Sequence, residues 1–387
     1  MSTRVFRFRL YPTARQADVL GQMLRDHCTM YNAALQERRD AYRSQQHSVR
    51  YGDQSAQLKA IRTDEQYARW SFSSQQQTLK RLDKAFQAFF RRVKRGETPG
   101  YPRFKPWQRF DTVTFIHGDG GAYLPNALRV RMQGVGHVKV KQHRPVRGTI
   151  KQFSVTREGR HWYVNVICTD VPAQVRPPTG AVVGIDRGVT HLLAYSDGGF
   201  TPNPRHYAAA QDRLAAAQQA LARKRRGSAR RRKAVARVAA AHRTVRNQRR
   251  DTLHKLSRSL VDTYDLIALE DLRVTNMTRS AKGTAESPGT NVAAKAGLNK
   301  SILDAGWGVL QDMLIYKAES AGTDVVLVNP RNTSRTCHAC GHVSADNRKG
   351  EVFLCRACGH SAHADTNAAR NILRLGLSLH DSAAAAS

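Results

Sequence analysis

The sequence is poor in acidic residues and has no long apolar run, and both absences limit what the chain can do. Its 387 residues hold 30 Asp and Glu against 63 Lys and Arg, which leaves a formal charge of +33. No stretch approaches the roughly 20 apolar residues of a membrane span, and no apolar run near Met1 resembles a signal peptide. Because the chain is 41% hydrophobic, it is expected to fold, and its charge excess indicates a nucleic-acid partner.

Cysteine is also scarce, with six in the whole chain, and this argues against a disulfide-stabilised secreted domain. Four of the six form two Cys-x-x-Cys pairs, Cys337 with Cys340 and Cys355 with Cys358. Two thiolate pairs at this spacing are typical of a closed tetrahedral zinc site, which leaves no open position for catalysis. We therefore expect a structural zinc here and ordinary buried thiols at the two other positions.

The pattern of apolar residues predicts several folding units in a multidomain α+β chain. A first strand and a later set of alternating strands predict a small β-barrel, with helices inserted between them. Strands and helices alternate in the second half, which predicts an α/β domain interrupted by the cysteine segment. The predicted segments are a barrel of residues 1–12 and 98–178, helices over 13–97, an α/β domain over 179–336 and 359–387, and the cysteine segment over 337–358.

Two stretches of the second half have an unusual composition. Between Arg223 and Arg258 the chain holds 15 Lys and Arg against one acid, and the helical pattern breaks at Gly227 and Ser228. Such a density of like charge repels itself unless a polyanion lies alongside. Residues 280–297, rich in Gly, Ser, Thr and Ala, are predicted to be a flexible loop.

Three acids stand where a carboxylate is hard to accommodate unless it binds a metal. Asp186 follows the apolar strand "AVVGI", Glu270 ends the strand "LIALE", and Asp365 opens the helix "DTNAARNILRL". Two divalent ions about 4 Å apart, held by carboxylate oxygens, can hydrolyse a phosphodiester. The order of the acids matches a ribonuclease-H-like site, so all three are candidate catalytic and magnesium-binding residues. Asp271 remains an alternative to Glu270, because its side chain would point to the other strand face.

The sequence resembles the TnpB family of transposon-encoded RNA-guided DNA endonucleases, which are similar to compact type V CRISPR effectors. The matching motifs run almost from end to end: "RLYPTARQ", "GYPRFK", "GIDRGV", "LHKLS", "ALEDL", "DAGWG", the paired-cysteine ribbon and "HADTNAARNI". The resemblance implies an N-terminal wedge β-barrel with an inserted helical recognition domain, then a ribonuclease-H-like RuvC domain with an inserted zinc ribbon. It also carries the catalytic role to Asp186, Glu270 and Asp365.

The resemblance further implies partners. They are a guide RNA derived from the transposon end and double-stranded target DNA, recognised beside a short adjacent motif. In the family a Tyr-Gly pair and a Gln help to read this motif. The nearest matches are Tyr51 and Gln76, with Gln75 and Gln77 as alternatives. The implied location is the prokaryotic cytoplasm, with association to the nucleoid when bound.

Residues and resemblance together predict an RNA-guided DNA endonuclease that uses two magnesium ions at a RuvC carboxylate triad, a structural zinc and a guide RNA. A nuclease-inactive RNA-guided DNA-binding repressor is the main alternative, but the presence of all three acids argues against it. A transposase is a second alternative, and no Tyr or Ser nucleophile motif supports it. A plain RNA-binding structural protein would leave the three acids unexplained.

Overall fold

The computed structural model describes residues 2–386, so the outermost residues of the predicted segments, Met1 and Ser387, lie outside the described residues. The chain divides after Pro172 into two compact units, which we call the N-terminal unit and the C-terminal unit. Each contains helices and a sheet, as expected for a mixed α/β chain. Within the described residues, no helix is long and apolar enough to cross a membrane.

Over residues 2–172, the N-terminal unit contains seven strands, four helices and one short 3-10 turn, Trp107–Arg109. In chain order the elements are β1 (Ser2–Tyr11), α1 (Ala14–Gln45), α2 (Tyr51–Ile61), α3 (Glu65–Ala68), α4 (Phe72–Lys94), β2 (Thr112–Ile116), β3 (Gly121–Leu124), β4 (Arg129–Met132), β5 (Gly136–Lys141), β6 (Thr149–Glu158) and β7 (His161–Val171). A capping box starts α1, since the Thr13 hydroxyl accepts the Gln16 N–H at 3.2 Å. The first of the predicted helices ends at Gln45, and its cap residue Gln46 has a left-handed φ of 53°.

The sheet of this unit is antiparallel throughout, in the order β2-β6-β7-β1-β5-β4-β3. The pairing of β1 with β7 sets Phe6 opposite Val166 and Phe8 opposite Val164, and these side chains share the buried face. The two edge strands are consecutive in the chain and only residues 117–120 join them, so the sheet curls into a nearly closed barrel. The structure thus confirms the expected barrel as a nearly closed, barrel-like sheet. Strands β2 and β3 were not predicted as separate strands, although their side chains alternate between buried and half-buried.

The C-terminal unit contains eight strands and seven helices within the described residues. They are β8 (Val182–Arg187), β9 (His191–Tyr195), β10 (Phe200–Pro202), α5 (His206–Ala209), α6 (Gln211–Ala222), α7 (Ala229–Thr263), β11 (Leu266–Glu270), α8 (Val274–Met277), α9 (Val292–Ala305), α10 (Trp307–Ala321), β12 (Asp324–Val328), β13 (Arg348–Lys349), β14 (Val352–Leu354), β15 (Ser361–His363) and α11 (Ala364–Ala386). Strands β13, β14 and β15 form a small sheet of their own around the cysteine segment.

The main sheet of this unit has the order β10-β9-β8-β11-β12. Strands β8, β11 and β12 are parallel, whereas β9 and β10 are antiparallel to their neighbours. One face packs Ile185 and Ile267 against α7 and α10, and the other face packs Ala268 against Ile372 of α11. Both faces are therefore covered, which is typical of an α/β layer and explains the continuous apolar strands.

Two sequence predictions about helices have different outcomes. The basic stretch is split as expected, since α6 ends at Ala222 and the Ser228 hydroxyl caps α7 by accepting the Arg231 N–H at 3.1 Å. The flexible loop predicted for residues 280–297 is wrong in its last six residues, because α9 begins at Val292. Ala has the highest intrinsic helix propensity, and a composition rich in small residues did not distinguish helix from loop.

Candidate active site and metal centre

Three acidic side chains meet where the two central parallel strands end. The parallel register of β8 and β11, continued by one residue, sets Asp186 beside Glu270. Because side chains alternate along a strand, both acids lie on the same sheet face as Ala268. This is the face that α11 covers, where Ile372 packs against Ala268. Asp365 reaches the same face from the first turn of α11. The three sequence-predicted acids are thus brought together from three separate elements.

Two glycines let α11 lie this close to the sheet. A Cβ added to Gly184 would lie 2.1 Å from the carbonyl oxygen of Ala369, and one added to Gly376 would lie 2.4 Å from the Cβ of Ala268. Any larger residue at either position would push the helix outward. Because Asp365 belongs to that helix, the small residues set how near it lies to the strand acids.

The three carboxyl groups repel one another. Burial, followed by the charges of Glu270 and Asp365, raises the pKa of Asp186 to about 7 against a smaller opposite effect from Arg348. Burial likewise raises the pKa of Glu270. A divalent cation between these groups would remove the repulsion, and their oxygens are the hard donors that magnesium prefers. The residues present therefore fit magnesium.

Glu270 and its neighbour Asp271 lie in different surroundings. Glu270 is 8% exposed, and its Oε1 accepts the hydroxyl hydrogen of Thr333 at 2.5 Å. Asp271 is exposed, and only its backbone N–H continues the sheet, donating to the Val328 carbonyl at 2.8 Å. The structure thus places Glu270, and not Asp271, beside Asp186. Sequence reasoning missed Thr333, because nothing in a polar turn signals that one hydroxyl is buried.

A buried arginine lies behind the acids. Arg187 is 5% exposed and donates to the backbone carbonyl of Glu270 and to Oε1 of Gln311, the latter at 2.9 Å. It joins the end of β8 to β11 and α10, and so holds the two strand acids in register. Sequence analysis assigned it no role, although an arginine directly after an apolar strand and an acid was a usable signal.

One arginine and two histidines lie next to the third acid, Asp365. Arg348, in β13, donates from Nη2 to Oδ1 of Asp365 at 2.8 Å, which links the small sheet to the site. Nitrogen atoms of His191 and His363 and an oxygen of Asp365 lie within 4.8 Å of one another. The His363 Nδ1 accepts the backbone N–H of Asp365 at 3.2 Å. Sequence reasoning missed all three partners, and "HAD" was the one local signal for His363.

The four paired cysteines form a single cluster. Their sulfur atoms approach at 3.8 Å between Cys337 and Cys358 and at 3.6 Å between Cys340 and Cys355. A tetrahedron of sulfurs about 2.3 Å from zinc has edges of about 3.8 Å. The cluster therefore fits one zinc ion with a complete sulfur shell.

Each cysteine pair lies in the same kind of tight turn. Gly341 and Gly359 have left-handed φ values of 78° and 72°. In each turn the glycine N–H donates back to the carbonyl of the first cysteine, at 2.9 Å for Cys337 and 3.1 Å for Cys355. A side chain at either position would be strained, so the glycine that follows each cysteine pair is a geometric requirement of the turn.

Comparison with known proteins gives the chain its family. Residues 166–281 match the OrfB_IS605 family, described as "Probable transposase", and residues 307–372 match "Cas12f1-like, TNB domain". InsQ of Escherichia coli (strain K12), named "Putative RNA-guided DNA endonuclease", is 32% identical over 96% of this chain and 92% of its own length. The chain belongs to the TnpB family. A protein of Streptomyces pristinaespiralis with the same descriptive name is 33% identical over 97% of this chain and 89% of its own.

Two further matches concern structure. Residues 1–47 match a family described as "Helix-turn-helix domain", yet residues 2–47 of this TnpB-family chain hold strand β1 and the single long helix α1. The solved structure of CasPhi-2 (Cas12j) bound to crRNA covers 97% of this chain and 98% of its own, at 11% identity and a TM-score of 0.47.

The predicted motif-reading residues of this TnpB-family chain lie on neighbouring helices. Tyr51 begins α2, and Lys80 of α4 lies over its ring at 5.5 Å. Gln76 of α4 donates to the hydroxyl of Ser55 on α2 at 3.2 Å. Gln75 is fully buried and donates to the backbone carbonyl of Tyr67. Gln77 remains half-buried.

Proposed function

We propose that this chain is an RNA-guided DNA endonuclease that cleaves target DNA next to a short adjacent motif. The observation that carries the proposal is the meeting of Asp186, Glu270 and Asp365 on one covered sheet face. The two full-length relatives are named for this activity, which supports DNA as the substrate and RNA as the guide. A purely structural RNA-binding protein would have no use for three mutually repelling acids.

The three acids would hold two magnesium ions. When bound, the ions supply an activated water and stabilise the leaving oxygen of the phosphodiester. The protein contributes the positions of the carboxylate oxygens. Arg187 fixes the ends of the two strands, the Thr333 hydroxyl orients Glu270, and Arg348 orients Asp365. Glu270 and Asp365 therefore each keep one orientation, which lowers the reorganisation needed during the reaction.

The zinc cluster has a supporting role in this proposal. With four sulfur donors, Cys337, Cys340, Cys355 and Cys358 would leave no position for water or substrate on zinc. The fold of the ribbon instead places Arg348 against Asp365. We infer that zinc stabilises the segment that carries this arginine and leads into α11.

The basic helices would bind the nucleic-acid backbone. Residues 223–258 carry 15 Lys and Arg, of which Lys255 pairs with the single acid, Asp251, at 2.7 Å. Phosphate contacts of this kind fix position without reading sequence, so pairing between guide RNA and target DNA selects the site. Tyr51 and Gln76 would read the short duplex motif beside it.

The test is cleavage of a plasmid target by the protein loaded with its guide RNA, in magnesium. Asp186→Ala should abolish cleavage while target binding, measured by mobility shift, is retained. Asp271→Ala is the matched control, because it removes an exposed acid beside the site and should cleave as the wild type. The proposed site is wrong if Asp186→Ala cleaves normally. A wild-type complex that binds target without cutting would favour the RNA-guided repressor.

A further inference from the structure

Three aromatic side chains in one loop of the N-terminal unit face solvent at a regular interval. Tyr101, Phe104 and Trp107 are 45%, 43% and 46% exposed. Between them lie prolines, and Pro106 has φ −65° and ψ 139°, the values of a polyproline II helix. Tyr101 and Phe104 belong to the segment that precedes the 3-10 turn, and Trp107 begins that turn.

The end of α4 adds a fourth ring. Phe90 is 61% exposed, which is more than any of the three rings of the loop. The ring of Phe89 lies 5.2 Å from Phe90 and 5.3 Å from Tyr101, so it joins the helix to the loop. We call Phe90, Tyr101, Phe104 and Trp107 the aromatic row.

The loop is held in place although its rings are not buried. Asn32 of α1 makes two hydrogen bonds to the backbone of Lys105, both at 2.9 Å. Arg39 of the same helix lies over the Phe104 ring at 5.2 Å, and Arg157 lies over Trp107 at 6.0 Å. These contacts order the loop in advance, so a ligand would not have to supply that ordering.

The surroundings of the aromatic row are basic. Residues 84–109 contain eight Lys and Arg and one acid, Glu97. An apolar protein partner would leave these cations without counter-ions, and a double helix would hide its base faces. A single nucleic-acid strand offers both phosphates for the cations and open base faces for the rings.

We propose that the aromatic row stacks unpaired nucleotides of the bound RNA. This rests on the proposed function, in which the protein is loaded with its guide RNA before it cleaves target DNA. Exposed aromatic patches favour aggregation when nothing covers them. The guide RNA, which is bound before the target is met, is therefore the ligand that we expect on the aromatic row.

Tryptophan fluorescence tests the proposal directly. All four tryptophans lie in the described residues, and Trp70, Trp162 and Trp307 are at most 5% exposed, so Trp107 alone can meet a base. Single-stranded RNA should quench the emission of the full-length protein, and a duplex of the same length should bind without quenching. Trp107→Phe should lose the quenching yet bind the strand within about twofold, because Phe retains a stacking face.

A second measurement separates stacking from charge. Phe104→Leu keeps apolar bulk but removes the aromatic face, and should weaken single-stranded RNA binding about five- to a hundredfold with no change in its salt dependence. Phe104→Tyr should restore binding. The charge control is Arg91→Gln with Arg92→Gln, which should flatten the plot of log affinity against log salt by about 0.7 for each phosphate that is no longer neutralised. Thermal unfolding checks that every variant is folded.

Each outcome bears on the proposal. Equal quenching by duplex and single strand, or wild-type RNA affinity in Phe104→Leu, would overturn the stacking role. Stronger quenching by single-stranded DNA than by RNA of equal sequence would overturn RNA as the occupant. The proposed function fails separately, when guide-loaded wild-type protein does not cleave its target. In that case, quenching by RNA alone would still establish the stacking surface.

Discussion

Each unit of this protein places an acid away from solvent, and the two acids are accommodated in different ways. Asp26 of α1 is 2% exposed, and its carboxylate accepts hydrogens from Gln22 at 2.7 Å and from Gln66 and the Trp70 indole at 2.9 Å. Asp186 in the C-terminal unit faces two further acids instead. Asp26 thus accepts three hydrogen bonds from neutral side chains, whereas the surroundings of Asp186 are dominated by like charge.

The difference separates a structural acid from a functional one. Neutral donors satisfy a buried carboxylate without any cation, and removing one of them leaves an unpaired group. Carboxylates that face one another are satisfied only when a cation is added. Asp26 should therefore stabilise the folded protein and take no part in cleavage. Asp186 should be needed for cleavage and should destabilise the folded protein.

The largest expected effect is the loss of cleavage when Asp186 is replaced. Replacing it with Asn keeps the shape but removes a charged metal ligand, so cleavage by the guide-loaded protein should fall by about a thousandfold or more. The temperature of unfolding should not fall, because one member of a repelling cluster no longer carries a charge. Cleavage rates and thermal unfolding of the same preparation measure both effects. A destabilised but active Asp186→Asn protein would contradict the distinction between the two acids.

The next largest effect is expected when the zinc ribbon is disrupted, because Arg348 of the ribbon forms an ion pair with Asp365. Cys355→Ser should lower the zinc content measured by mass spectrometry from one ion per chain towards zero. Cleavage should fall by about a hundredfold, because the segment carrying the arginine loses its support. Added magnesium should not restore it. Ser344→Ala, in the same segment but without a sulfur ligand, is the control, and equal loss in both variants would argue against zinc as the cause.

Replacing Asp26 should have a smaller effect, on the stability of the protein and not on cleavage. Asp26→Asn turns an NH2 group towards the donors of Gln22, Gln66 and Trp70, so one donor contact becomes unfavourable. The free energy of unfolding of the N-terminal unit should fall by about 1–3 kcal/mol. Urea unfolding measures this loss. Cleavage below the unfolding transition should stay at the wild-type rate, and a catalytic defect there would contradict a purely structural role.

The smallest effect is a pH dependence beside Asp26. His27 is 1% exposed, and burial lowers its pKa to about 4, against raising effects from the Met23 carbonyl and Asp26. The unfolded chain takes up this proton first, near the ordinary pKa of 6.5. The contribution is thus complete above that pH and lost as the pH falls towards 4. It should amount to about 1 kcal/mol between about pH 7 and about pH 5.5.

His27→Gln removes this titration and should flatten that part of the urea-unfolding profile. An unchanged slope in the variant would assign the acid sensitivity to other groups.

Much of the candidate site was predictable because its elements are local. The apolar strand before Asp186, the strand ending in Glu270 and the cysteine spacing are each read from fewer than about ten consecutive residues. The first turns of α9 were mistaken for loop, and β2 and β3 were not predicted as separate strands. Whether such short stretches form regular structure depends on their pairing and packing with segments elsewhere in the same unit.

The amino-acid sequence by itself determined the family, the identity of the three acids and the four cysteines, and the excess of positive charge. Tertiary structure decided which acid of the Glu270 and Asp271 pair lies beside Asp186, because side-chain direction depends on where the strand ends. It also supplied Thr333 and Arg348, which reach the acids from distant segments. Such contacts depend on distances across the fold, and a linear sequence does not contain those distances.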